Sequence, residues 1–173
     1  MNKVKPKANT APILLGNLAS QFLDDYINER EDAPVAYSTT VKKFFASAAL
    51  EFCTCPIPAN FHEQAQAQMM NIRSFVHDVL PHNIQAFDKH NTLLEASFIC
   101  EQLGLQGRVD MLQKDFKVLV EQKSGKRDEY NRRHKEDHFI QMMLYQGVLM
   151  YNFGRKTEDL QTSCFIPNIP MAS

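Results

Sequence analysis

Residues 107–125 read Gly-Arg-Val-Asp-Met-Leu-Gln-Lys-Asp-Phe-Lys-Val-Leu-Val-Glu-Gln-Lys-Ser-Gly, and this stretch decides the fold class. Gly107 to Leu112 holds several apolar residues without a helical stripe, and Phe116 to Glu121 is rich in valine, so both segments predict strands. The polar pair Lys114-Asp115 lies between them, as in an antiparallel hairpin. If that pair forms a two-residue turn, Gln113 faces Phe116 and Asp110 faces Leu119. Asp110 then shares a sheet face with positions 119, 121 and 123. A three-residue turn without a bulge would put Asp110 on the opposite face.

Working outward, Glu95 to Glu101 predicts a further strand and Arg133 to Phe153 a long helix. A polar, proline-bearing tail follows, in which Cys164 to Ile166 reads as a short strand. The first half of the chain is helical. From Pro12 to Asn28 the apolar residues Leu15, Leu18, Phe22, Leu23, Tyr26 and Ile27 recur at three- and four-residue spacing. Ser38 is placed to cap a second helix carrying Val41, Phe44, Phe45, Ala48 and Leu50, which ends near Cys55-Pro56. A third starts at Asn60, with Glu63 in the manner of a capping box, and runs through Met69, Ile72 and Val76 towards Pro81. The pattern predicts an α/β fold with a mixed central β-sheet, packed between an N-terminal helical group and the helix of residues 133–153.

The length of 173 residues, 44% of them hydrophobic and 23% charged, fits a single domain spanning residues 1–173 with a sizeable core. A formal net charge of -1 gives the whole surface no general attraction for nucleic acid, so any polyanion site is local. Lys3, Lys5 and Lys7 precede an apolar run, Ile13 to Leu15, that is far too short for a signal-peptide core, and no stretch approaches a membrane span. Cys53, Cys55, Cys100 and Cys164 show neither a paired framework nor two CxxC units, so a reducing, cytoplasmic setting is expected. Cys53-Thr54-Cys55 without a second pair reads as ordinary buried residues.

The chemistry concentrates on Asp110, Glu121 and Lys123. Two carboxylates converging near a backbone carbonyl make a hard oxygen site suited to magnesium or manganese. Phosphodiester hydrolysis needs an activated water and stabilisation of negative charge, which a metal can supply and an ammonium can assist. Glu-x-Lys alone is commonly a solvated strand face. Its neighbours raise its significance: Gly-Arg-Val-Asp lies one hairpin upstream, and Ser124-Gly125 closes the strand. His134, His138, Gln141 and Tyr145 form a polar stripe on the following helix. His134 and His138 lack an evident third metal ligand. Glu95 is either a further acidic group near the metal or a strand-end carboxylate facing solvent or a basic neighbour. Lys126, Arg127, Arg132, Arg133 and Lys135 interleave with Asp128, Glu129, Glu136 and Asp137, which suits either a solvated loop or phosphate steering.

From Leu105 to Tyr145 the sequence resembles the RecB-like branch of the PD-(D/E)XK nuclease superfamily, which includes CRISPR-associated exonucleases and the nuclease domains of helicase-nucleases. The resemblance rests on Gly107 to Asp110, Glu121 to Lys123, and Gln141 to Tyr145. It implies a restriction-endonuclease-like core in which Asp110, Glu121 and the carbonyl of Gln122 bind magnesium or manganese. Lys123 would assist catalysis, and Gln141 with Tyr145 would help position the substrate strand. The implied activity is cleavage of DNA, on single strands or ends, in repair or recombination, by an exonuclease that is one domain of a larger helicase-nuclease. Many family members carry a metal-binding histidine on the first helix, where Gly16-Asn17-Leu18-Ala19-Ser20 offers Ser20. That leaves open reduced activity, a single tightly held metal in place of two, or a misaligned helix. The rival reading is a non-catalytic nucleic-acid-binding module with a degenerate nuclease fold. With only Cys164 after the nuclease motifs, no iron-sulfur cluster is expected.

Overall fold

A computed structural model describes residues 10–30, 32–84, 87–122 and 136–165. The elements run α1 (Ala11–Ile27), α2 (Tyr37–Ser47), α3 (Ala49–Thr54), α4 (Phe61–Ser74), α5 (Leu80–Asn83), β1 (Thr92–Cys100), β2 (Leu105–Gln113), β3 (Val118–Gln122), α6 (Glu136–Phe153) and β4 (Gln161–Phe165). This is a mixed α/β fold consistent with a restriction-endonuclease-like core. Among the described residues, no helix is long and apolar enough to cross a membrane.

The periodic face of α1 is buried from Leu14 to Ile27 and packs mainly on α4. Two capping expectations fail. The carbonyl of Ala36 accepts from the backbone N–H groups of Thr39 and Thr40, so α2 starts before Ser38 and the serine lies inside its first turn. Asn60 does precede α4, but at φ -87° and ψ 12° it is not extended, and its side chain makes no cap hydrogen bond. The capping box with Glu63 therefore does not form.

Nor does the helix stop ahead of Pro81. A π turn spans Phe75–Val79, and Leu80 N–H bonds the carbonyl of Phe75, five residues back. This wider turn loosens the chain just ahead of Pro81, whose ring and missing N–H are then tolerated at the start of α5. The expected break at Cys55-Pro56 is present, after an additional interruption at Ala48.

The sheet order is β1-β2-β3-β4, with β1, β2 and β3 antiparallel and β4 parallel to β3. The β2–β3 register sets Met111 against Val120 and Leu112 against Leu119. Continued one step beyond these pairs, a regular strand would set Asp110 against Glu121. The expectation that Asp110 faces Leu119 is thus corrected: residues 114–117 form a four-residue turn. Phe116 N–H bonds the Gln113 carbonyl at 2.8 Å and Lys117 N–H bonds the Asp115 carboxylate at 3.0 Å. Phe116 takes the left-handed conformation, φ 59°. Two extra turn residues shift the pairing by an even step, so the turn by itself keeps the parity relating Asp110 to positions 119 and 121, but the expected shared face is lost at Asp110 itself.

Both sheet faces are covered. Met111, Val118 and Val120 join the core of the helical group, whereas Val109, Leu112, Leu119, Met142, Tyr145 and Leu149 form a second cluster under α6. Val109 and Met111 would face the same way in a regular strand, so β2 changes face at Asp110. Glu95, across from it on β1, has φ 51°, and this pair is missing between the paired residues on either side. Such a local kink re-aims a side chain. At the far end of α6, Gly154 adopts φ 64° and its N–H caps the Met150 carbonyl, a left-handed stop that suits glycine.

Candidate active site

Asp110 is half-buried at the kink of β2. It lines a cavity of about 390 Å³ whose opposite wall is α1, through Asn17, Ser20, Gln21 and Asp24. Glu95 stands at the same cavity and pairs with Arg108 at 3.3 Å, both side chains being more than half exposed. That contact is the basic-neighbour alternative read from the sequence. An exposed pair of this kind contributes little to stability.

Glu121 is 5% exposed. It lies on an interior strand, between β2 and β4, where Cys164 is its partner in register. Its Oε1 accepts a hydrogen bond from Gln141 Nε2 at 2.7 Å. The same Nε2 donates to Tyr145 Oη at 2.6 Å, and Tyr145 Oη donates to the carbonyl of Arg108 at 2.9 Å. A chain of donors thus runs from β2, through α6, to the carboxylate on β3. Tyr145 is held above the ordinary tyrosine range, first by burial and further by the charges of Glu121 and Asp110, with the Gln141 hydrogen bond acting the other way.

Gly107 explains how α6 comes so close. A Cβ there would meet the Phe98 ring at 3.0 Å and the Tyr145 ring at 3.4 Å. Phe98 and Tyr145 meet edge to face at 5.5 Å between centroids. The glycine of Gly-Arg-Val-Asp is therefore where two aromatic side chains cross the strand.

Of the residues singled out in the sequence, the fold brings Asp110, Glu121, Gln141 and Tyr145 together. Lys123, Ser124, Gly125, His134 and the basic run from Lys126 to Lys135 lie outside the described residues, as does the side chain of Gln122. Cys53 is exposed and Cys55 buried, so only one of the pair is the buried residue expected. Asn17, Gln21 and Asp24 were not recognised as site residues. Their signal is the polar minor face of α1, at positions 17, 20, 21 and 24. Ser20 itself lines the cavity that Asp110 lines, with its hydroxyl on the Gly16 carbonyl at 3.3 Å. The first helix therefore stands beside Asp110 and Glu95.

Among the described residues, no group of three histidine, cysteine, aspartate or glutamate side chains is arranged to hold a metal ion. What they do offer is a pair of carboxylates on paired strands, one half-buried beside a cavity and one buried. Such a donor set fits a small hard cation that binds through one or two carboxylates and keeps several waters.

The family model of the PD-(D/E)XK nuclease superfamily matches residues 5–171, nearly the whole chain. This chain belongs to that superfamily, and its class is that of a nuclease. No curated protein matches it, and neither does any solved structure.

Proposed function

We propose that this chain is a magnesium- or manganese-dependent deoxyribonuclease of the RecB-like branch. The observation that carries the reading is that Asp110 and Glu121 stand on the paired strands β2 and β3, one beside the α1 cavity and one bound to Gln141, in a chain of this superfamily. In this reading, Asp110, Glu121 and the carbonyl of Gln122 hold the metal, and the Lys123 ammonium sits beside them to offset negative charge on the scissile phosphate. The bound cation supplies a more acidic water and neutralises phosphate charge. Asp110 presents its carboxylate to the cavity, where a phosphate and its water can enter. Ser20, a poor ligand in place of the family's histidine, favours one metal over two.

The substrate is single-stranded DNA or DNA ends, since nothing in the sequence forms an element for reading base edges. Residues 1–173 act as one nuclease domain, working with a helicase domain in cytoplasmic repair or recombination. Cleavage of labelled single- and double-stranded DNA with magnesium or manganese tests this. Wild type should cut, and Asp110→Ala and Lys123→Ala should each lose at least a hundredfold in rate, about the scale of removing one such electrostatic contributor. Equal cleavage by all three proteins would assign the activity to another site. Retention of DNA without metal binding or cleavage would leave the non-catalytic binding module as the function.

A further inference from the structure

The resemblance assigns Gln141 and Tyr145 to the substrate strand, but their hydrogen bonds run inward, to protein groups. We propose that Gln141 is a positioning residue for Glu121, holding the carboxylate in place for the metal, with Tyr145 fixing Gln141 in turn. This rests on the reading of Glu121 as a metal ligand.

The chemistry of the groups fixes the direction of the chain. A carboxylate only accepts, so the face of Gln141 turned to Glu121 Oε1 at 2.7 Å must be its NH2. At the other end, the Arg108 carbonyl also only accepts, so the Tyr145 hydroxyl hydrogen points there, at 2.9 Å. Towards Gln141 the phenol then presents a lone pair, and the 2.6 Å contact again requires an amide hydrogen. Both hydrogens of the Gln141 amide are thereby committed inside the protein. None remains to donate to a DNA phosphate.

The anchor of this chain is significant. Arg108 lies two residues before Asp110, so the carbonyl that orients Tyr145 belongs to the strand carrying the first carboxylate. The orientation of Glu121 on β3 is thus referred to β2 through α6. Partners that orient a ligand from outside the metal's own coordination typically contribute about 10–100-fold to metal affinity. The i,i+4 spacing of Gln141 and Tyr145 sets both on the face of α6 that meets the sheet.

Calorimetric titration of manganese into wild type, Gln141→Leu, Gln141→Asn and Tyr145→Phe tests the proposal, alongside single-stranded DNA binding in chelator. Gln141→Asn keeps the amide but withdraws it by one methylene. Both Gln141 variants are expected to bind manganese about 10–100-fold more weakly, and Tyr145→Phe more weakly by a smaller factor in the same direction. Metal-free DNA affinity should stay within about twofold of wild type, because no phosphate contact is lost. A tyrosine ring-carbon NMR titration of the metal-free protein gives an independent readout. Tyr145 should ionise at higher pH in Gln141→Leu, because the hydrogen bond that favours its phenolate is gone. Equal manganese affinity in wild type and the Gln141 variants, with weakened DNA binding, overturns the proposal and leaves the nuclease reading standing. No manganese binding by wild type overturns both.

Discussion

The Tyr145 hydroxyl shows how one side chain carries both packing and electrostatics. At 7% exposed, it is raised above the ordinary tyrosine value of 10.0 mainly by burial, with Glu121 and Asp110 adding to the rise. Between that value and its higher folded-state value, the folded protein holds a proton that the unfolded chain has released. Stability is therefore present in full below pH 10 and falls as pH rises above it. Tyr26 and Tyr37 are raised as well, so Tyr145→Phe should make the alkaline decline in urea-unfolding stability shallower without removing it. At neutral pH the same variant should lose about 1–2 kcal/mol, since the Arg108 carbonyl and a Gln141 hydrogen lose their partner. An unchanged alkaline slope would mean the phenol is solvated. Two positions before Arg108's neighbour Val109, Gly107 gives a second residue-scale test. Gly107→Ala forces a methyl group to 3.0 Å from the Phe98 ring, so chemical denaturation should show a loss of about 1–3 kcal/mol, the usual range for overpacking. A neutral result would mean that Phe98 swings away freely.

Within α4, Gln68 is 1% exposed, and among the described residues neither its amide nitrogen nor its amide oxygen has a hydrogen-bond partner. An amide buried in this way costs about 1–3 kcal/mol. Gln68→Met keeps the length and removes the polar atoms, so it should raise the thermal midpoint; a fall would reveal a polar partner for the amide inside the helical group. The same helix shows what local pattern can and cannot convey. Its apolar spacing identified a helix, but the π turn before Pro81 answers to a geometric conflict that periodicity does not record. Likewise, the strands on either side of Lys114 were legible from their valines and alternation. The turn length was not, because Lys114-Asp115-Phe116-Lys117 contains no glycine or asparagine to mark the left-handed position, which Phe116 occupies. The parity of the turn was readable all the same, but the side to which Asp110 turns was not, because it is set by the kink in β2 opposite Glu95, which no residue pattern marks. The α1 wall of the cavity was missed because its polar residues look like any solvated helix face until the sheet is set against them.

At the scale of the whole molecule, the sheet separates two cores, one shared with α1, α2 and α4 and one under α6. Asp110 opens towards the α1 wall, and Glu121 is held from the α6 side. The two carboxylates therefore reach different layers from neighbouring strands. A divalent ion bound by both would favour the folded state by mass action, about 2.7 kcal/mol at a hundred times its Kd. For a chain of this size that is roughly 5–10 °C in Tm. Differential scanning fluorimetry with manganese should show this upward shift for wild type and none for Asp110→Asn, which keeps the shape but not the charge. Parallel shifts in the two proteins would place any bound manganese away from Asp110.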